Sequence, residues 1–279
     1  MSIKNAVMFS SFYVMIYIMI PQGDINMNSI IDSSDYNSFP KEFIKTIIDK
    51  INNMPPVERQ KLVISNDNNI IKKYFDINGS NYYWYQNTLI PLMNKYDFIC
   101  FHSTKVYDEN LILDNGLKTN EWNTYSKTMS DTFFKLKIDK ETQTEALKYI
   151  KNEYDRKIRN PEICFFSDLN LISNDYAAGY ENWCESMGGE LASWALEEKM
   201  PDVYKLLKSN GEAYYVKFKL KFDKFCIYCK DSILKELLVK VINKEFWNKE
   251  YEVRFDGKTL YDVPKENILQ LIPCNYKFY

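Results

Sequence analysis

Phe98-Ile99-Cys100-Phe101-His102-Ser103-Thr104 is the stretch on which the reading of the fold turns. The apolar run from Phe98 to Phe101 reads as a short buried strand. His102 follows it directly and is the one histidine in the chain. The end of a strand holds a functional group rigidly while leaving it open to a ligand. Working outward, Lys105 to Asn115 has the look of a helix, closed by Gly116 as its C-cap. Glu162 to Ser167, with Phe165-Phe166-Ser167 at its end, reads as a second short strand. Asp175 to Glu198 is mainly helical, opens with Asp175-Tyr176-Ala177-Ala178-Gly179-Tyr180, and is interrupted near Gly188-Gly189. Pro201 to Lys208 is a short helix and Asn210-Gly211 a turn. From Ala213 to Tyr228, Tyr215, Lys217, Lys219 and Lys221 alternate with Val216, Phe218, Leu220 and Phe222, the period of a half-buried strand. A helix over Asp231 to Lys244 and short strands over Tyr251 to Phe255 and Ile268 to Ile272 complete this half.

Upstream of Asp97 the character differs. Ala6 to Ile20 is an apolar run after Lys4, short for a membrane span of about 20 residues. It suits a buried strand or helix, and equally a secretory signal or anchor, although no small-x-small cleavage site comes after it. Residues 22–39 are polar and read as a linker ending at Pro40. Lys41 to Asn53 has helical apolar spacing, stopped by Pro55-Pro56. Val57 to Tyr74 holds one or two short helices, Asn78-Gly79 is a turn, and the aromatic stretch Asn81 to Tyr96 is a helix packing on the half of the chain that begins at Asp97. Asp139 to Lys157 is an inserted helix. No internal repeat is present. Helices gather early and strands late, which predicts an α+β fold with a mostly helical region over residues 1–95 and a second domain over 96–279.

Composition removes several functions. With 36 basic and 38 acidic residues the net charge is −2, and no basic stripe offers itself to duplex phosphates. Eight glycines leave no Gly-rich phosphate loop. Cys226 and Cys229 form a CxxC at the end of the alternating run, but a zinc site needs a second pair or nearby histidines. They read as structural thiols, and no metal site is expected.

Taken in order, His102-Ser103-Thr104, Leu111-Ile112, Gly116-Leu117, Phe165-Phe166-Ser167 and the Tyr176–Tyr180 segment resemble the ADP-ribosyltransferase superfamily, its diphtheria-toxin-like branch in particular, over about residues 97–279. The resemblance implies a split β-sandwich with flanking helices and NAD as co-substrate. His102 would hydrogen-bond the adenosine-side ribose, with Ser103, Thr104, Gly116, Ser167 and Tyr176 around it. Phe166 stands where the family has a tyrosine that stacks on nicotinamide, and Tyr180 would be its partner. Glu250-Tyr251-Glu252 is similar to the family's Glu-x-Glu, in which the second carboxylate is catalytic. Both glutamates share a face because side chains alternate along an extended chain. Glu190, after Gly188-Gly189, competes for that role.

The chemistry calls for such a carboxylate. Cleaving the nicotinamide–ribose bond leaves positive charge on the ribose, which a carboxylate on the 2′-hydroxyl stabilises. Nicotinamide leaves as a neutral ring, so no strong acid is required. The expected activity is therefore transfer of ADP-ribose to a macromolecule, protein rather than nucleic acid, with arginine the first acceptor implied by Glu-x-Glu. NAD glycohydrolysis uses the same residues, and a non-catalytic module on the same fold is permitted by phenylalanine at 166. The sequence departs from the branch in two further places. Glu181–Glu198 separates the tyrosine helix from the next strand, and Asn120 to Pro161 is an insertion able to cover the cleft or recognise a target.

Overall fold

The computed structural model describes residues 18–19, 30–76, 79–157, 161–167 and 189–273. Its spine is β3 (Asp97–Val106), which continues well past the apolar run that nucleates it. β5 (Glu212–Lys221) lies antiparallel along the whole of β3, from Asp97 opposite Lys221 to Val106 opposite Glu212. This register puts Phe98, Cys100, Val216, Phe218 and Leu220 on one face and Ile99, Phe101 and Tyr215 on the other. β7 (Ile268–Pro273) continues beside β5, and β1 (Ile18–Met19) beside β7. On the far edge of β3 sit β4 (Ile163–Phe166) and then β6 (Asp256–Thr259), both antiparallel. β2 (Ile30–Ile31) joins the same edge of β3 lower down, in parallel, at Asp97 and Phe98. The result is one seven-stranded sheet. The fold is α+β.

Helices cover the face that carries Phe98 and Phe218. α1 (Lys41–Asn52) buries Phe43, Ile47 and Ile51, spaced by one helical turn each. Full burial of each such side chain is worth about 1.5–3 kcal/mol. α2 (Pro56–Ser65), α3 (Asn68–Tyr74) and α4 (residues 82–93) come next, and Asp67 caps α3 by accepting from the Asn69 N–H at 2.8 Å. All of them share one apolar cluster with the sheet and with α10 (Ile227–Trp247), which buries residues on every side from Ile233 to Ile242. A helix apolar all round belongs between two layers. Two charged residues go inside with it and are satisfied. Lys240 donates to the Ser33 and Ser34 carbonyls at 2.7 and 2.9 Å, while Glu236 takes Lys72 and the Tyr251 hydroxyl.

A second apolar cluster lies at the other end of β3. α5 (Asn110–Asn115) leads to α6 (Trp122–Lys135) and α7 (Lys140–Lys157), which pack with α8 (Gly189–Leu196) and α9 (Pro201–Ser209). The segment predicted as an insertion thus has a core of its own, built from Tyr125, Met129, Phe133, Ala146 and Ile150 against Leu191, Leu196 and Leu207.

Several boundaries move. The helix predicted from Lys105 begins only at Asn110, because residues 105 and 106 still pair with β5. The strand predicted to reach Tyr228 ends at Lys221. Phe222–Lys224 forms a 3-10 turn, and α10 begins at Ile227 rather than Asp231. Residues 251–255 belong to no strand ladder, although exposed and buried side chains alternate along them, and the strand is Asp256–Thr259 instead. The linker predicted over 22–39 contributes β2. Cys226 and Cys229 are not separate thiols but a disulfide, with Cα atoms 5.4 Å apart.

Candidate functional site where two strands part

β3 and β4 are held together at one ladder position, Phe101 opposite Phe166. Beyond it the two strands diverge, and the opening is bridged by a side chain. His102 Nδ1 lies 2.7 Å from the Cys164 carbonyl. A carbonyl oxygen only accepts, so Nδ1 carries the proton and Nε2 is left with a lone pair. Burial holds the imidazole pKa below its ordinary value, against an opposing contribution from the Cys164 hydrogen bond. His102 is therefore a neutral, oriented acceptor.

The opening widens into a cleft of about 450 Å³, within the range of small-molecule sites. Its floor is β3 from His102 to Val106, one wall is Glu162 to Cys164, and the opposite wall is α6. Gly116 closes the end. Its φ is +72° with ψ −164°, and a Cβ there would stand 2.0 Å from the Val263 carbonyl. This close approach lets Leu117 exchange two backbone hydrogen bonds with Val263, each 2.9 Å. Asp262 next to it accepts from the Thr119 N–H and hydroxyl and pairs with Lys118 at 3.2 Å. Burial raises the Asp262 pKa, but the Thr119 and Lys118 contacts outweigh it and hold the carboxyl below its ordinary range.

The cleft brings together four of the residues singled out in the sequence: His102, Ser103, Thr104 and Gly116 all line it. Ser103 turns to the opposite face from His102, and its buried hydroxyl has no partner among the described residues. The other candidates lie elsewhere. Phe166 is 2% exposed and packs against Phe101 and Tyr215 on the far side of the sheet. Ser167 clamps the chain that carries the glutamates: its N–H donates to the Phe255 carbonyl at 3.1 Å, and its hydroxyl bonds Val253 and Phe255. Val253 and Phe255 point inward, so Glu250, Glu252 and Arg254 point to solvent. Glu252 accepts from Arg254 at 2.6 Å, and Glu250 from Lys244 at 2.5 Å, which holds the Glu250 carboxyl below its usual range. Neither glutamate lines the cleft. Tyr176 and Tyr180 lie outside the described residues, as does the side chain of Glu190 at the start of α8.

No helix is predicted over α6, although it lies in the Asn120 to Pro161 insertion expected to be able to cover the cleft. α6 presents Thr124, Lys127, Thr128 and Asp131 to the cleft while burying Tyr125, Met129 and Phe133. Lys127 has no ion-pair partner among the described residues. The Tyr125, Met129, Phe133 spacing is the signal that could have found this helix. Among the described residues no cluster of His, Cys, Asp and Glu is arranged to hold a metal ion. No helix among them is long and apolar enough to cross a membrane. The chain matches no family model, no curated protein and no solved structure.

Proposed function

We propose that the cleft binds NAD and that the protein transfers ADP-ribose from it to a macromolecular acceptor, releasing nicotinamide. One observation carries the reading. The neutral His102, fixed by the Cys164 carbonyl where β3 and β4 part, offers an acceptor at the cleft floor in the residue order that resembles ADP-ribosyltransferases. Its Nε2 would accept from a ribose hydroxyl. In the reaction the bond between ribose C1′ and the nicotinamide nitrogen breaks. The electron pair leaves with the ring, and the acceptor forms a bond to C1′ while giving up a proton. Glu252 is the carboxylate for the developing ribose charge, and its pairing with Arg254 must open for that role.

The test is nicotinamide release by purified protein with NAD, comparing wild type with His102→Ala and Glu252→Ala. Label transferred from NAD to a protein acceptor, lost in both variants, supports the transferase. Free ADP-ribose without label transfer assigns water as the acceptor. Release that survives Glu252→Ala moves the carboxylate role to Glu190. A second reading, a non-catalytic module on this fold, is favoured by Glu252 lying outside the cleft in an ion pair. It predicts neither NAD binding nor turnover.

A further inference from the structure

Cys226 and Cys229 sit where α10 begins. Cys226 is the N-cap, in extended conformation, and its side chain makes no capping hydrogen bond. The Cys229 and Lys230 N–H groups of the first turn donate to its carbonyl at 3.0 and 3.2 Å. The two sulfurs are joined in a disulfide and both residues are part-exposed. Their environments differ. Cys229 packs against the main apolar cluster, and its Sγ accepts from the Lys258 N–H of β6 at 3.3 Å. Cys226 is absent from that cluster and is anchored to β6 by its backbone alone, its N–H donating to the Lys258 carbonyl at 2.9 Å.

The surroundings are open. Between the cysteines, Ile227 and Tyr228 are 73% and 85% exposed, and Leu260 and Tyr261 beside them are 53% and 52% exposed. Lys224 lies over the Tyr261 ring at 4.2 Å, and Lys230 closes the other side with a hydrogen bond to the Asp223 carbonyl at 3.1 Å. A disulfide that serves only as a staple gains most when it closes a long loop. This one closes a loop of two intervening residues, so its worth as a cross-link is small. Two cysteines at a helix N-terminus, flanked by lysines and reachable from solvent, are instead the setting in which thiolates are stabilised and disulfides exchange.

We propose that Cys226 and Cys229 are a redox-active pair that exchanges with thiols of the glutathione class. A thiolate of the reductant attacks Cys226 Sγ, the disulfide breaks, and Cys229 leaves as a thiolate that the Lys258 N–H stabilises. A second reductant thiol attacks the mixed disulfide and releases Cys226 at the positive end of α10. Two electrons pass to the pair, two protons are taken up, and the reductant departs as its own disulfide. Cys226 is the attacked and attacking sulfur, and Cys229 the resolving one. The inference is independent of the NAD reading.

The experiment equilibrates the full chain in buffers of graded reduced to oxidised glutathione, quenches with acid, alkylates, and reads the Cys226–Cys229 peptide by mass spectrometry while circular dichroism follows the fold. The expected result is a folded chain whose pair passes from disulfide to dithiol as the square of reduced glutathione over oxidised rises. C229S is expected to hold glutathione on Cys226. C226S should acquire it on Cys229 more slowly, because Cys229 packs against the apolar cluster and Cys226 does not. A pair that stays dithiol in excess oxidised glutathione overturns the proposal. So does one that stays oxidised in excess reduced glutathione, or that is reduced only as the chain unfolds. Equal labelling of the two single variants overturns the assignment of Cys226 as the attacking sulfur.

Discussion

Gly116→Ala is the substitution that best isolates how the cleft is closed. Gly116 has φ +72° and ψ −164°, a region that residues with a Cβ rarely enter. Forcing alanine into it costs about 1–3 kcal/mol. The added methyl would meet the Val263 carbonyl at 2.0 Å and backbone of Pro264 and Lys265 at 2.9 Å, so the 263–265 segment has to retreat. Retreat breaks the two Leu117–Val263 hydrogen bonds, each worth about 0.5–1.5 kcal/mol net. Against this, alanine lowers the entropy of the unfolded chain, a gain of about 0.4–1 kcal/mol. The expected net loss is about 2–5 kcal/mol, read from urea unfolding at constant slope. Gly211→Ala is the comparison, since Gly211 also has positive φ, +76°, in the turn before β5. The left-handed cost alone is about 1–2 kcal/mol there. If Gly116→Ala is no worse than Gly211→Ala, the close approach to Val263 is not what holds the cleft end.

Other perturbations have equally definite outcomes. His102 has a folded pKa below its ordinary 6.5, so its contribution to stability is present above that pH and lost as pH falls through the folded value. Wild type should lose stability more steeply than His102→Gln as pH falls below 6.5, with a limiting difference in slope of about 1.4 kcal/mol per pH unit; parallel urea midpoints would reject the neutral imidazole. Lys240→Met strands the Ser33 and Ser34 carbonyls that the buried ammonium satisfies. A loss of about 1–3 kcal/mol is expected, and limited proteolysis should cut first between residues 30 and 39; an unchanged midpoint would show that water replaces the ammonium without cost. Phe166→Ala removes a ring stacked 5.9 Å from Phe101 and should cost about 3–5 kcal/mol. A change that left stability intact while abolishing NAD binding would instead put Phe166 in the ligand site.

Where the chain is legible, one period dominates. Phe98 to Phe101 and the Val216, Phe218, Leu220 alternation need no partner to be read, and together they are the paired centre of the sheet. The lysines at 217 and 219 fall on the face that carries Ile99 and Phe101, and the Lys217 ammonium lies over the Phe101 ring at 5.9 Å. Boundaries fail where two periods meet. Phe222 and Phe225 prolong the apolar pattern of β5, yet they face the core from a 3-10 turn, and nothing local distinguishes the two. α6 escapes a sequence reading because its exposed faces are rich in threonine and serine, weak helix formers, and its stripe is buried by α7 to α9 rather than by the sheet. The disulfide escapes it because cysteine spacing alone does not say that a helix starts between the two sulfurs.

The candidate site divides along β4. One end of this strand supplies the Cys164 carbonyl that orients His102, and the other end runs into Ser167, which clamps the segment bearing Glu252. Three residue steps of extended chain lead from Cys164 to Ser167, about 10 Å at about 3.3 Å per residue. His102 and Glu252 are thus positioned from opposite ends of the same short strand. That division locates the weakest step in the proposed mechanism. His102 and Gly116 line the cleft, whereas Glu252 stands outside it, at the surface and paired with Arg254. The proposed catalysis requires that ion pair to yield to a ribose hydroxyl. At the surface such a pair is worth only about 0–1 kcal/mol, so a bound ligand can displace it with little energetic penalty.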